Sequence, residues 1–310
     1  MKKILIVLLL LAILFFSAIY LFLPARASFS QSVSISANPF VTTRIIRDDN
    51  WKRWWPGDKS ARGDTVLEFN NHQFFVTEKM YKGVEVAIAK VKDSFNSSLH
   101  IIPLSVDSVK LDWMGNSEAT ISPFKRIQQY RSALDLQQDI RLLLETLKLY
   151  LQKQTNTYGM QIVEERVKDT LLVTTKSVFK SYPSVSSIYE MIQTLRHYIN
   201  KQGLKEMNYP MLHVLPLDRD GYSTMVAIPV NKEMAKQNGI AYKRMAPGKI
   251  LVTQVQGGPY AIQIAYAQYE RYLQDYHRIS PAIPFESLVT ERISEPDTSK
   301  WVTKIYYPVF

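Results

Sequence analysis

A run of twenty residues, Ile4 to Leu23, constrains this chain more than any other feature, because its only clearly polar members are Ser17 and the interfacial Tyr20. Wound as a helix it would rise about 30 Å, the thickness of a bilayer's hydrocarbon core. Lys2 and Lys3 precede the run, and by the positive-inside rule they would stay in the cytoplasm and leave everything from Ser28 onward outside it. The competing reading is a cleaved signal peptide, since Ala25-Arg26-Ala27 before Ser28 fits the small-x-small cleavage rule. Apolar cores of signal peptides run only about 7–15 residues, so length favours a membrane anchor retained over residues 1–27. Both readings export the rest of the chain.

The 310 residues suit two domains better than one, and a 46% share of aliphatic and aromatic residues is enough to pack two cores. Cysteine is absent, which excludes disulfides, thiolate metal sites and a cysteine nucleophile. The five histidines, His72, His100, His197, His213 and His277, never fall three to five residues apart as paired ligands on one helix would. No metal site and no cofactor is expected. The net charge of +10 is spread without a long basic run, which argues against nucleic acid and fits a tethered domain lying near anionic headgroups.

Residues 28–36 alternate small polar with mostly larger side chains, the period of a half-buried strand, and Asn38-Pro39 stops them. Three tryptophans, Trp51, Trp54 and Trp55, then fall within five residues before Pro56-Gly57. Val84, Val86 and Ile88 alternate with Glu85, Ala87 and Ala89, and Val109, Leu111 and Trp113 alternate likewise, each predicting a strand. Ile127, Tyr130, Leu134, Ile140, Leu143, Leu144, Leu147 and Leu151 recur at mostly helical spacings and predict a long helix. A strand, Asn-Pro, a short helical pair and a Trp-rich Trp-Pro-Gly turn together resemble the SRPBCC superfamily of START-like and polyketide cyclase domains. The resemblance covers about residues 28–153. It implies a helix-grip fold, in which a curved antiparallel sheet wraps one long C-terminal helix around an apolar cavity. Trp51 and Trp55 are expected to fill core, and Trp54 is a candidate for facing a ligand.

Residues 154–159 are polar and aperiodic and read as a linker. Beyond them one order of elements occurs twice. A strand from Thr170 to Phe179 leads to a helix with the stripe Ile188, Met191, Ile192, Leu195, Tyr198 and Ile199, opened by a capping box over Ser187–Glu190 and closed by Gly203. Strands follow at 212–217 and 225–230. A strand from Lys249 to Val255 then leads through Gly257-Gly258-Pro259-Tyr260 to a helix carrying Ile262, Ala265, Tyr269, Tyr272 and Tyr276, with strands at 285–290 and 302–309.

This duplicated strand-helix-strand-strand pattern resembles the GyrI-like family of bacterial effector-binding domains over about residues 160–310. That resemblance implies a cleft binding small aromatic or cationic molecules, with a buried glutamate as counter-charge. Glu286 holds that position, and a carboxylate faced by rings in a low-dielectric pocket would bind an organic cation by charge and cation–π attraction. Tyr260 and Trp301 are the candidate stacking residues. The chain departs from the family at Leu288, where a Tyr is usual, and at Glu291-Arg292, where Asp-Pro is usual.

The expected protein is therefore α+β: an N-terminal transmembrane helix, a helix-grip domain and a duplicated β-α-β-β domain. The expected function is capture or sensing of a hydrophobic or cationic small molecule on the extracytoplasmic side. The alternatives are a hydrolase or cyclase using the same cavities, with Glu286 as base and Tyr260 as donor, and a platform for protein contacts.

Overall fold

The protein is described by a computed structural model over residues 2–48, 51–57, 66–90, 93–168, 171–218, 221–233 and 239–309. Asp49, Asn50 and Thr170, which the sequence readings above include or border, lie outside the described residues. The fold is α+β, and the chain divides into two compact units, residues 1–153 and 154–310.

The first unit opens with helix α1 (Lys2–Phe22), long and apolar enough over Lys3–Phe22 to cross a membrane. Its C-terminal end is fastened by polar contacts. The Tyr20 hydroxyl donates to the Ile121 carbonyl at 2.6 Å, while the Arg126 guanidinium lies 4.5 Å over the Tyr20 ring and donates to the Leu23 carbonyl at 3.0 Å.

Strand β1 (Ser28–Ile35) comes next, then helices α2 (Pro39–Arg47) and α3 (Trp51–Trp54). The Asn-Pro pair that stops the strand also starts the helix. The Asn38 side chain accepts from the Phe40 amide at 2.8 Å and the Val41 amide at 3.2 Å, and Pro39 occupies the first turn, where its missing N–H costs nothing. Strands β2 (Val66–Phe69), β3 (His72–Met80), β4 (Gly83–Lys90), β5 (Asp93–Pro103) and β6 (Val109–Ser117) complete an antiparallel sheet in the order β1-β6-β5-β4-β3-β2. Asn70 and Asn71, at φ 47° and 65°, make the two-residue turn between β2 and β3, the left-handed pair that matches hairpin twist.

Helix α4 (Pro123–Leu151) packs across this sheet. Its second half buries the expected stripe of Ile140, Leu143, Leu144, Leu147 and Leu151. The first half does not follow expectation. Tyr130 and Leu134 are exposed, and the buried side carries Gln129, Ser132, Ala133, Leu136 and Asp139. The reason is hydrogen bonding: the Ser132 hydroxyl donates to Asp93 at 2.7 Å and the Gln129 amide to the Glu118 carbonyl at 3.2 Å, so polar residues win the sheet-facing side where partners await them.

In the second unit the segment expected to be a linker is instead a short helix, α5 (Gln154–Tyr158). Tyr158 is buried and its hydroxyl donates to Asp275 at 2.8 Å, a tertiary anchor that local polarity does not reveal. Then follow β7 (Val163–Arg166), β8 (Leu171–Phe179), α6 (Val185–Lys201), β9 (Met211–Leu217) and β10 (Gly221–Pro229). The same series repeats as β11 (Ala241–Arg244), β12 (Lys249–Gln256), α7 (Pro259–Asp275), β13 (Phe285–Leu288) and β14 (Val302–Val309).

The sheet order β11-β8-β10-β9-β13-β14-β12-β7 is symmetric about the β9–β13 pair. It also exchanges arms. The lead strand of each repeat pairs with the other repeat, β7 with β12 and β11 with β8. Each repeat is thus β-β-α-β-β, one strand longer than the sequence pattern shows.

Helix α6 is capped by Ser184, which accepts from the Ser187 amide at 3.1 Å, three residues before the expected box. It ends as expected at Gly203, whose φ of 60° lets the Gly203 amide reach the Asn200 carbonyl and the Leu204 amide reach Ile199. Its stripe packs with Val173, Leu212, Val226, Ile228 and Leu288 into a core on one sheet face. At about 1.5–3 kcal/mol per fully buried aliphatic side chain, this stripe rather than helix propensity fixes α6.

Candidate functional site

Alternation along β13 sends neighbouring side chains to opposite faces of the sheet. Phe285 faces away from the helices and stacks on Tyr306 at 4.9 Å between ring centroids. Glu286 and Leu288 face the helix side, where Leu288 joins the α6 core. Glu286 is 7% exposed, and burial pushes its carboxyl above the usual carboxylate range against the opposing pull of Arg292.

The Arg292 guanidinium lies 3.3 Å from the Glu286 carboxylate, donates to the Thr303 hydroxyl at 2.9 Å and sits 4.8 Å over the Trp301 ring. Its backbone amide donates to the Tyr189 hydroxyl at 2.7 Å. Arg292 Nε is buried with no hydrogen-bond partner among the described residues. The cation is therefore enclosed but incompletely satisfied, with one modest contact to its carboxylate.

The expected site is brought together in part. Glu286 and Trp301 meet through Arg292, with the Trp301 ring held in place by donation of its indole N–H to the Glu295 carbonyl at 2.8 Å. Tyr260 stands in the first turn of α7 with 77% of its surface exposed. The tyrosines that feel the glutamate are Tyr182, before α6, and Tyr266, on α7. Burial raises both hydroxyls, and the Glu286 carboxylate adds to the shift. Tyr182 also meets Tyr222 edge to face at 5.6 Å. The signal for Arg292 stands in the sequence at the departure from Asp-Pro. Tyr266 sits at helical spacing between Ile262 and Tyr269, where only the third dimension tells a core ring from a site ring.

Trp54, in the first unit, is buried in an aromatic cluster. Its ring lies 5.2 Å from Trp51 and 5.4 Å from Trp55, and Trp51 meets Trp113 at 5.9 Å. The Trp51 and Trp55 indoles donate to the Ile46 and Glu68 carbonyls at 2.6 and 2.9 Å, whereas Trp54 Nε1 is buried without a partner among the described residues.

The chain matches no family model and no curated protein. Among solved structures it is similar to the C-terminal domain of EcmrR, at 15% identity and a TM-score of 0.42 over 49% of this chain and 98% of that one. It is also similar to SAV2435 bound to tetraphenylphosphonium, at 17% identity and a TM-score of 0.33 over 49% and 94%. A START superfamily protein from Mycobacterium smegmatis matches at 15% identity and a TM-score of 0.30 over 39% and 97%. These likenesses concern backbone arrangement, and no family is assigned by them.

Proposed function

We propose that this chain is a membrane-tethered, exported small-molecule-binding protein whose second unit captures an organic cation at Glu286. The observation that carries this reading is the arrangement Glu286–Arg292–Trp301, in which a buried carboxylate already holds a cation against an indole. A carboxylate with a ring beside it is the chemistry an aromatic cation needs, and Arg292 is the occupant it must displace. The unpartnered Arg292 Nε makes that displacement less costly than breaking a fully bonded pair. For tethering, the support is α1, with Lys2 and Lys3 on its cytoplasmic flank.

The test is calorimetry on the full chain in phosphatidylcholine nanodiscs, using a matched pair of aromatic dyes, one cationic and one neutral. Glu286→Gln should weaken the cationic dye about tenfold to a hundredfold and leave the neutral one unchanged, while Arg292→Met should strengthen the cationic dye. Equal cationic affinity in the wild type and Glu286→Gln rules the site out. N-terminal sequencing after export tests the tether: a mature chain beginning at Ser28 would mean a signal peptide.

A further inference from the structure

The sheet face turned away from α6 and α7 carries a feature that the cation site does not use. Two cavities of about 260 and 200 Å³ lie there side by side, sharing Met211, Met245 and Phe285. Leu172, Met225, Ala227 and Ile283 make the larger one largely apolar. Met245 borders both, and an unbranched thioether side chain is the kind that adapts its shape to an occupant.

The exchanged arms supply the rim, and the rim is basic. Lys243 and Arg244 come from β11, Arg166 and Lys168 from β7 and the turn after it, and Lys304 from β14, against a single lining acid, Glu165. Arg244 is paired with Glu233, and Lys168 lies 3.5 Å from Glu165. Arg166, Lys243 and Lys304 have no acidic partner among the described residues. An apolar, methionine-lined hollow ringed by three uncompensated cations is complementary to a molecule with an apolar body and an anionic head.

We propose that this face is a second binding site, for an anionic amphiphile such as a fatty acid or acidic lipid, with Arg166, Lys243 and Lys304 receiving the head and Met211, Met245 and Phe285 the body. It is distinct from the Glu286 site because Phe285 and Glu286, adjacent in sequence, point to opposite faces of one strand.

The experiment uses the full chain in phosphatidylcholine nanodiscs, titrated with naphthalene-2-sulfonate, 2-naphthol and naphthalen-2-ylmethylammonium. The sulfonate should bind tighter than the naphthol. The triple variant Arg166→Gln, Lys243→Gln, Lys304→Gln should weaken the sulfonate at least about tenfold without weakening the naphthol. Ala227→Phe, which fills the hollow and leaves the charges, should weaken both. Glu286→Gln should leave the sulfonate unchanged, so the two sites fail or stand separately. Displacement of the sulfonate by free laurate assigns a soluble occupant, and displacement only when phosphatidylglycerol replaces phosphatidylcholine assigns a lipid; either supports the proposal. Equal sulfonate affinity in the wild type and the triple variant, or displacement by neither, overturns it.

Discussion

His72 Nδ1 lies 2.9 Å from Asp139 Oδ2, deep between β3 and α4, and Asn70 from the preceding turn donates to the other oxygen of the same carboxylate at 2.8 Å. One aspartate on the helix therefore clasps a whole hairpin. His72 Nε2 is left buried and without a partner among the described residues.

Removing the clasp strands the buried His72 donor, while the exposed Asn70 amide can turn to water. Asp139→Ala should destabilise the first unit by about 1–3 kcal/mol, the cost of one buried polar group left unpaired, read as a lower midpoint in urea. Asp135→Ala, which removes the 3.5 Å contact of a largely exposed carboxylate with Lys90, should change the midpoint by less than about 1 kcal/mol.

Burial is the largest influence on His72 and lowers its pKa from 6.5. A depressed folded value means that the unfolded chain binds the proton more readily. Stability from this residue is then fully present above about pH 6.5 and lost as pH falls through the folded value. His72→Gln should flatten the acid side of the stability curve, and an unchanged slope below about pH 6.5 would exclude His72 as its source.

The Glu286–Arg292 pair has the opposite pH sense. Burial raises the Glu286 pKa, so its contribution to stability is present at low pH and lost as pH rises through the folded value. Arg292→Met alone leaves a buried carboxylate and should cost about 3–5 kcal/mol at neutral pH. Glu286→Leu combined with Arg292→Met should recover most of that loss, as a thermal-melt comparison of single and double variants would show.

The two units should fold separately, and the boundary should be sharp. Because α5 is pinned through Tyr158 to Asp275, limited trypsin digestion should cut after Lys153, while chymotrypsin should leave the buried Tyr158 uncut until the second unit unfolds. Each fragment should then melt cooperatively on its own.

Strand alternation and helical stripes made most of the fold legible. β1, β6 and α6 follow patterns that a buried face imposes on sequence. The first half of α4 was not legible, since Gln129, Ser132 and Asp139 are buried for partners supplied by distant strands. The lead strands β7 and β11 were missed for a related reason. Each has four residues, none of them buried, and so no face to advertise. At the candidate site, Glu286 and Trp301 were singled out through a resemblance. The role of Arg292 needed geometry, because a pairing between side chains six residues apart around a turn follows from no periodicity.

The exchanged arms dictate an order of assembly. β7 spans 163–166 but its partner spans 249–252, and β8 waits about as long for its outer neighbour at 241–244. A chain emerging in the order of its synthesis would present β7 with its backbone groups open until more than eighty further residues had emerged. Glu164, Glu165 and Arg166 are suited to that wait. Charged side chains along an idle strand keep it soluble and discourage pairing with a neighbour's edge, so the feature that hides β7 from sequence inspection also guards it until its partner arrives.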